Sequence, residues 1–199
     1  MADPAAPLTP AFVDRLLATV IVSALAMASG LIAATGLAAA VAFPMMRDLD
    51  PALPGYEAVG DHWMIAAGSV MAPIFTIAVT AAGVLIAAAG FAWAGQTVRG
   101  GVSVRALLAR GLVILFALGV TGYTQFILLP RMNNSFDAYL EAARAGDTDV
   151  AACLRDNFDA DHPAASRSLS AIVILSLLAA GAQVWAPAPR RRRDGEAAS

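Results

Sequence analysis

Residues 16–43 read LLATVIVSALAMASGLIAATGLAAAVAF, a run without a single charged side chain. A helix needs roughly 20 apolar residues to cross the hydrocarbon core of a bilayer, which is about 30 Å thick. This run is longer, so it predicts a membrane-spanning helix that tilts or protrudes. Three later runs, with almost no charge, predict further spans at about 63–94, 111–129 and 163–185.

The composition of the whole chain agrees with a membrane protein. Of its 199 residues, 59% are hydrophobic and only 14% are charged, and the mean hydropathy is +0.68. Soluble domains carry about 25% charged residues. A soluble fold of this size could not hide so much apolar surface. We therefore expect an all-α, polytopic membrane protein with four transmembrane helices in a bundle.

Composition also divides the chain into three parts. Residues 1–15 are rich in proline and predict a flexible N-terminus. Residues 16–187 form the predicted four-helix transmembrane domain. Residues 188–199 form a basic cytoplasmic tail that contains four consecutive arginines.

Three prolines predict the ends of the spans, and one glycine predicts the end of a helix in the segment between spans three and four. Pro44 and Pro130 are expected to end spans one and three, and Pro163 to begin span four, because proline suits only the first turn of a helix. Residues 131–162 then predict a small outer cap of two short helices, the first ending at Gly146.

The distribution of arginine predicts the topology. The N-terminus, the 95–110 loop and the tail hold 8 arginines and 4 acidic residues, whereas the opposite side holds 5 arginines and 11 acidic residues. Cytoplasmic loops carry the excess of positive charge. Both termini are therefore expected in the cytoplasm. The absence of lysine and the abundance of alanine suggest a GC-rich bacterial genome, and hence the bacterial inner membrane.

The two histidines of the chain occur in similar contexts. Asp61 precedes His62, Asp161 precedes His162, and each pair lies just ahead of an apolar run. An earlier apolar run in each half ends in proline, methionine and arginine. The chain therefore predicts a 2+2 repeat of helix hairpins, which would bring both Asp-His pairs to the outer face.

Several chemistries are compatible with these pairs. Imidazole and thioether groups together suit copper, and the candidate ligands are His62, His162, Met45, Met64 and Met132. Two histidines from different helices could instead ligate a haem. The simplest interpretation needs no cofactor, because aspartate caps helix N-termini and methionine is common in membrane cores.

Two arginines add to the predicted outer site. Arg167 follows the start of span four, where a cation opposes the helix dipole. We therefore expect it to pair with Asp159, with Asp161 or with a neighbour's carboxylate, or to face an anion. Arg131 and the two asparagines after it could complete a polar pocket. The candidate binding residues are therefore the two Asp-His pairs with Arg131 and Arg167.

Other functional classes have no support in the sequence. There is no Ser-His-Asp pattern, no phosphate-binding loop and no zinc spacing, and nothing indicates nucleic-acid binding. No ionisable residue falls in the middle of a predicted span, which argues against an ion-coupled transporter.

Small residues form ridges on two of the spans. Such ridges let helix backbones approach closely in lipid, and they are Ala26, Gly30, Ala34 and Ala38 in span one and Gly111, Gly119 and Gly122 in span three. They predict helix packing, either within the bundle or with a second copy or another membrane subunit.

Several positions resemble a known family. The Leu154–Phe158 segment, followed by His162 and Ser166, resembles the transmembrane protein 205-like family, also described as domain of unknown function 4149. The Phe43-Pro44 corner, Gly68 with Phe75, and Pro130 with Met132 are similar to it as well. The family often has glycine where this chain has Pro163. The resemblance implies a four-span membrane protein and no enzymatic mechanism.

A weaker resemblance is to the anthrone oxygenase-like four-span proteins. It rests on the corner from Pro130 to Asn133, whereas Phe158 stands where that family has tryptophan.

The sequence as a whole predicts a membrane protein that binds a metal or small solute at its outer face. The alternatives are an accessory subunit of a larger complex and an oxidoreductase or oxygenase that uses the histidine pair.

Overall fold

A computed structural model describes residues 9–60, 62–99 and 104–185. All regular structure in these ranges is helical, as predicted: α1 (Pro10–Leu49), α2 (His62–Arg99), α3 (Val104–Tyr123), a π-helical segment (Thr124–Leu128), α4 (Leu129–Ala145) and α5 (Thr148–Val184).

The six segments make four long helices, because α3, the π-helical segment and α4 continue into one another. Each long helix has 37 to 40 residues and is long and apolar enough to cross a membrane. This confirms the predicted architecture of four membrane-spanning helices. At 1.5 Å per residue such a helix is about 55–60 Å long. It is therefore about twice as long as the hydrocarbon core is thick, so part of every helix is in excess of the length needed to cross that core.

The four helices pack in a ring, in which α1 and α3 each contact both α2 and α5. Buried aliphatic side chains from all four helices form the main core, among them Ile21, Leu25, Ile86, Ile114 and Ile172. At one end of the bundle, Asp14 and Arg99 form an ion pair of 2.8 Å between the start of α1 and the end of α2. We call this end of the bundle the terminal end, because α1 begins and α5 ends there. The opposite end is called the cap end.

A second apolar cluster lies at the cap end. Its core is formed by Ile65 of α2, Phe136, Tyr139 and Ala143 of α4 and residues of the 50–60 loop and of α5. Within the loop, Tyr56 is buried, and the guanidinium carbon of Arg144 lies 5.1 Å from its ring centroid. The predicted helical cap is therefore built from extensions of α4 and α5, which the loop covers, rather than from two separate short helices.

The predicted helix ends at the prolines were wrong. Pro44 and Pro163 lie inside α1 and α5, and Pro130 lies where the π-helical segment passes into α4. A proline inside a helix removes one hydrogen bond at a cost of about 3 kcal/mol, which packing along such long helices offsets. Gly146 ends α4 with φ 78°, as predicted, and the Asp147 carboxylate then caps α5.

The helices also begin earlier than predicted. Thr9 caps α1, so residues 10–15 of the predicted flexible N-terminus are helical. α2 extends to Arg99 and α3 begins at Val104, which shortens the predicted 95–110 loop. The basic tail at 188–199 lies outside the described residues.

Candidate functional site

A cavity of about 380 Å³ lies between α1, α2, α4 and α5, on the cap side of the main core. This is a usual size for a small-molecule site. Most of the lining is apolar, and the larger side chains are Ile32, Phe43, Met71, Phe75, Leu129, Met132, Phe136, Phe158, Leu169 and Val173. The α1 and α2 walls contribute no polar side chain to it.

The polar groups of the lining belong to the opposite side. Three of them, His162, Ser166 and Ser170, recur every fourth residue of α5 and so form one line along the helix. Thr124 of the π-helical segment and Asn133 of α4 complete the polar lining. The cavity therefore combines two apolar walls with one polar strip.

The π-helical segment helps to shape this cavity. The Leu129 N–H donates to the Thr124 carbonyl oxygen, five residues earlier, so the turn contains an extra residue. An extra residue rotates everything after it by about 100° around the helix axis. It thereby determines which side chains of α4 face the cavity. Such π-turns occur frequently at functional sites.

Aromatic side chains close the cavity toward the cap. Phe136 is 4% exposed, and its ring centroid lies 5.3 Å from that of Phe158, which in turn stands edge-on to the His162 ring at 4.7 Å. Phe136 also packs onto α2 at Gly68. A Cβ atom at Gly68 would lie 2.5 Å from the end of the Phe136 ring. Only glycine allows this close packing.

The cavity opens between α1 and α5. Its lining residues on α2, α4 and the π-helical segment are buried or half-buried. The exposed lining residues are Ala33 and Gly36 of α1 and His162, Ser166 and Ser170 of α5. Nearer the terminal end, the two helices are in contact, and the Ser29 hydroxyl donates to the Val173 carbonyl oxygen at 3.4 Å. The opening therefore lies on the side of the bundle.

An ion pair joins α4 to α5 beside the cavity. Arg131 donates from Nε to Asp161 Oδ2 at 2.7 Å and from Nη2 to Oδ1, a two-bond arrangement with high geometric specificity. The predicted pairing of Arg167 with Asp161 or Asp159 was therefore wrong. Six residues separate Arg167 from Asp161, which places them on different faces of α5. Asp159 lies 3.7 Å from Arg155.

His62 has a structural role at the start of α2. The Leu53 N–H donates to its Nδ1 at 3.2 Å, and its Nε2 lies 2.8 Å from the Tyr56 carbonyl oxygen, to which it donates as the Nε2–H tautomer. Both ring nitrogens thus hold the 50–60 loop against the bundle. The preceding Asp61 lies outside the described residues. His162 is far inside α5, so the two histidines are not in equivalent positions.

The predicted metal ligands do not converge. Met132 and His162 line the cavity, whereas Met64 packs against the cap cluster and Met45 is exposed on α1. His62 is engaged by the loop. Among residues 9–60, 62–99 and 104–185, no group of three or more His, Cys, Asp or Glu side chains is placed to hold a metal ion.

Some cavity residues were not singled out from the sequence. The fourfold spacing of His162, Ser166 and Ser170 was visible there as a polar stripe on an apolar span. The role of Thr124 was not, because it depends on the π-turn. The contact of Phe136 with Gly68 likewise depends on how α4 lies across α2.

The chain is a multi-pass membrane protein by the length and composition of its helices. No protein-family model, no curated protein and no solved structure matches it. The resemblance to the transmembrane protein 205-like family therefore stays a prediction, and a function has to be argued from the cavity.

Proposed function

We propose that this protein binds a small, mainly apolar molecule with one hydrogen-bonding end in the cavity between α1, α2, α4 and α5. The observation that carries the proposal is the line of His162, Ser166 and Ser170 facing otherwise apolar walls. Small-molecule sites typically combine an apolar lining with a few polar groups that orient the ligand.

The hydrogen-bonding pattern of His162 suits a donor on the ligand. With its proton on Nδ1, His162 donates to the Phe158 carbonyl oxygen at 3.4 Å, and Nε2 remains an acceptor. Serine hydroxyls on the same strip can donate or accept. An alcohol therefore fits the site, with its hydroxyl at the strip and its hydrocarbon chain against α1 and α2.

The lateral opening supports entry from the lipid phase. It lies between two helices that cross the membrane, at Ala33 and Gly36 on α1 and Ser166 on α5. Molecules that partition into the bilayer can reach such an opening without crossing the water interface. The ligand would then be concentrated by the membrane itself.

The proposal places the cap end outside a bacterial inner membrane and both termini in the cytoplasm. The arginine excess near the terminal end supports this orientation. The cavity would then lie in the outer half of the bundle and receive molecules from the outer leaflet.

A second role, association with another copy or another membrane subunit, is favoured by α1. All four residues of its small-residue ridge are exposed, namely Ala26, Gly30, Ala34 and Ala38. A ridge of this kind lets a neighbouring helix approach closely. Gly30→Leu should then reduce association in a crosslinking experiment.

The binding function can be tested by filling the cavity. Gly36 and Gly30 both lie on α1 with no atom within 4 Å of an added Cβ, but only Gly36 lines the cavity. The probe is a diazirine-labelled octanol added to the protein in lipid nanodiscs. Labelled peptides are then identified by mass spectrometry. We expect cavity peptides to be labelled in the wild type and in Gly30→Leu, and at least tenfold less in Gly36→Leu.

The polar strip can be tested in the same assay. In His162→Ala, the concentration of unlabelled octanol that halves the labelling should rise about two- to thirteenfold, because a hydrogen bond contributes about 0.5–1.5 kcal/mol. Equal labelling of Gly36→Leu and Gly30→Leu would exclude the cavity as the binding site. Unchanged competition by octanol in His162→Ala would show that His162 does not bind the alcohol.

A further inference from the structure

A groove of about 580 Å³ runs along the outside of the bundle between α3 and α5. It is separate from the cavity, whose lining residues it does not share. Its apolar part is lined by Leu115, Phe116, Gly119 and Val120 of α3 and by Ala171 of α5. Tyr123, Arg167 and Ser168 add polar groups. Since both helices cross the membrane, this groove faces lipid.

Arg167 is a cation without a counter-charge in this groove. Its side chain is exposed, and in the described part of the chain no carboxylate pairs with it. The nearest predicted partner, Asp161, is bound by Arg131. The facing helix offers no acid either, because residues 106–129 contain none. A charged side chain among apolar groups in a membrane requires a partner or contact with the interface.

The position of Arg167 along α5 matches the level of lipid phosphates. Residues 168–185 carry no charge, and at 1.5 Å per residue they are about 27 Å long. This length is close to the roughly 30 Å of the hydrocarbon core. Arg167 therefore lies at the cap-side boundary of that core, where its long side chain can reach the headgroups.

The groove is also amphipathic along its length. Arg167, Ser168 and Tyr123 lie at its cap-side end. Leu115 lies eight residues before Tyr123, about 12 Å farther toward the terminal end at 1.5 Å per residue. A phospholipid has the same polarity, with a charged head at the interface and acyl chains extending inward.

We infer that this groove is a binding site for an anionic phospholipid. Its phosphate lies on the Arg167 guanidinium, and Ser168 and Tyr123 supply hydroxyl groups near the head. One acyl chain follows the floor at Leu115 and crosses Gly119, where the absent side chain leaves room. An anionic head is preferred over a zwitterionic one because Arg167 has no compensating acid nearby.

Native mass spectrometry of the full-length protein in detergent can test the charge requirement. The protein is given equal amounts of phosphatidylglycerol and phosphatidylcholine. We expect the wild type to retain phosphatidylglycerol, and Arg167→Gln to retain about tenfold less. Arg167→Lys should keep most of the binding, because it keeps the charge. Arg47→Gln is the matched control, since Arg47 is an exposed arginine toward the cap end outside the groove.

A second pair of variants tests the acyl path. Gly119 and Gly122 both have open space around an added Cβ, but only Gly119 lines the groove. Gly119→Leu should lower lipid retention while Gly122→Leu leaves it unchanged. Equal losses in Arg167→Gln and Arg47→Gln, or equal retention of the two lipids by the wild type, would overturn the assignment. Intact binding in Gly119→Leu would overturn the path of the acyl chain.

Discussion

Replacing Gly68 by alanine should destabilise the cap end of the bundle. The added methyl group would lie 2.5 Å from Cζ of Phe136 and 2.8 Å from Cε2, where ordinary contacts begin at 3.4 Å. Phe136 has little freedom to move away. It is buried, and its ring packs against those of Phe158 and Tyr139, with centroids 5.3 Å and 6.1 Å away.

The expected loss follows from two opposing terms. Overpacking a filled core costs about 1–3 kcal/mol, whereas alanine in place of glycine stabilises a helix interior by about 1 kcal/mol. Because the overlap is deep and involves a buried ring, we expect a net loss of about 1–2 kcal/mol. For a chain of this length that corresponds to a fall of about 2–8 °C in the midpoint of thermal unfolding.

The assay is thermal unfolding of the purified protein in detergent, followed by intrinsic tryptophan fluorescence. Gly181→Ala is the control, because an added Cβ there meets nothing within 4 Å. A second variant, Phe136→Leu, removes the ring that the methyl group would strike. Its combination with Gly68→Ala should cost less than the sum of the two single changes. If Gly68→Ala matched Gly181→Ala, or if the two costs simply added, the proposed contact would be refuted.

Three further changes have defined outcomes. In Gly111→Ala the new methyl group would overlap the Trp93 ring, so we expect a loss of about 1–3 kcal/mol, and an unchanged unfolding midpoint would contradict this packing. His62→Ala removes two hydrogen bonds to the 50–60 loop and should cost about 2 kcal/mol. Limited proteolysis should then cut the loop faster, whereas an unchanged rate would show that His62 does not hold it. The Gly55 N–H donates to the Glu57 carboxylate and thereby lowers the pKa of Glu57 below its ordinary value. The stabilisation from this hydrogen bond should therefore be complete above the unfolded-state pKa of Glu57. It should be lost as the pH falls through the lower folded-state pKa. Titration of the Glu57 side chain by NMR would measure this directly, and a pKa above the ordinary value would contradict it.

Much of the architecture could be predicted from the sequence. Long uncharged runs predicted four helices, and the structure has four that are long enough to cross a membrane. Gly146 was correctly predicted to end α4, since its positive φ favours glycine. The helix ends predicted at the prolines were wrong, because that prediction considered only the local cost of a proline. It did not include the packing energy of the long helices that contain them.

The pairing of polar groups could not be predicted in this way. Arg110 was assigned to a short basic loop, yet it is buried in α3 and donates from Nη1 to Gln183 Oε1 at 3.2 Å. Gln183 in turn donates to Gln96 at 3.0 Å. These three residues come from three helices, and Gln183 lies 73 positions from Arg110 and 87 from Gln96 in the chain. Their positions depend on how the helices pack.

The sequence by itself determined the all-helical class and the number of helices long enough to span a membrane. Lipid cannot form hydrogen bonds with the backbone, so each apolar segment in a membrane must pair its own N–H and C=O groups as a helix. Helix formation therefore depends on the local sequence. Only the tertiary structure decided that His62 holds a loop while His162 lines a cavity. It also decided that Arg131, and not Arg167, pairs with Asp161. These outcomes depend on the rotation and contact of whole helices, which the π-turn and the packing of Phe136 on Gly68 help to set.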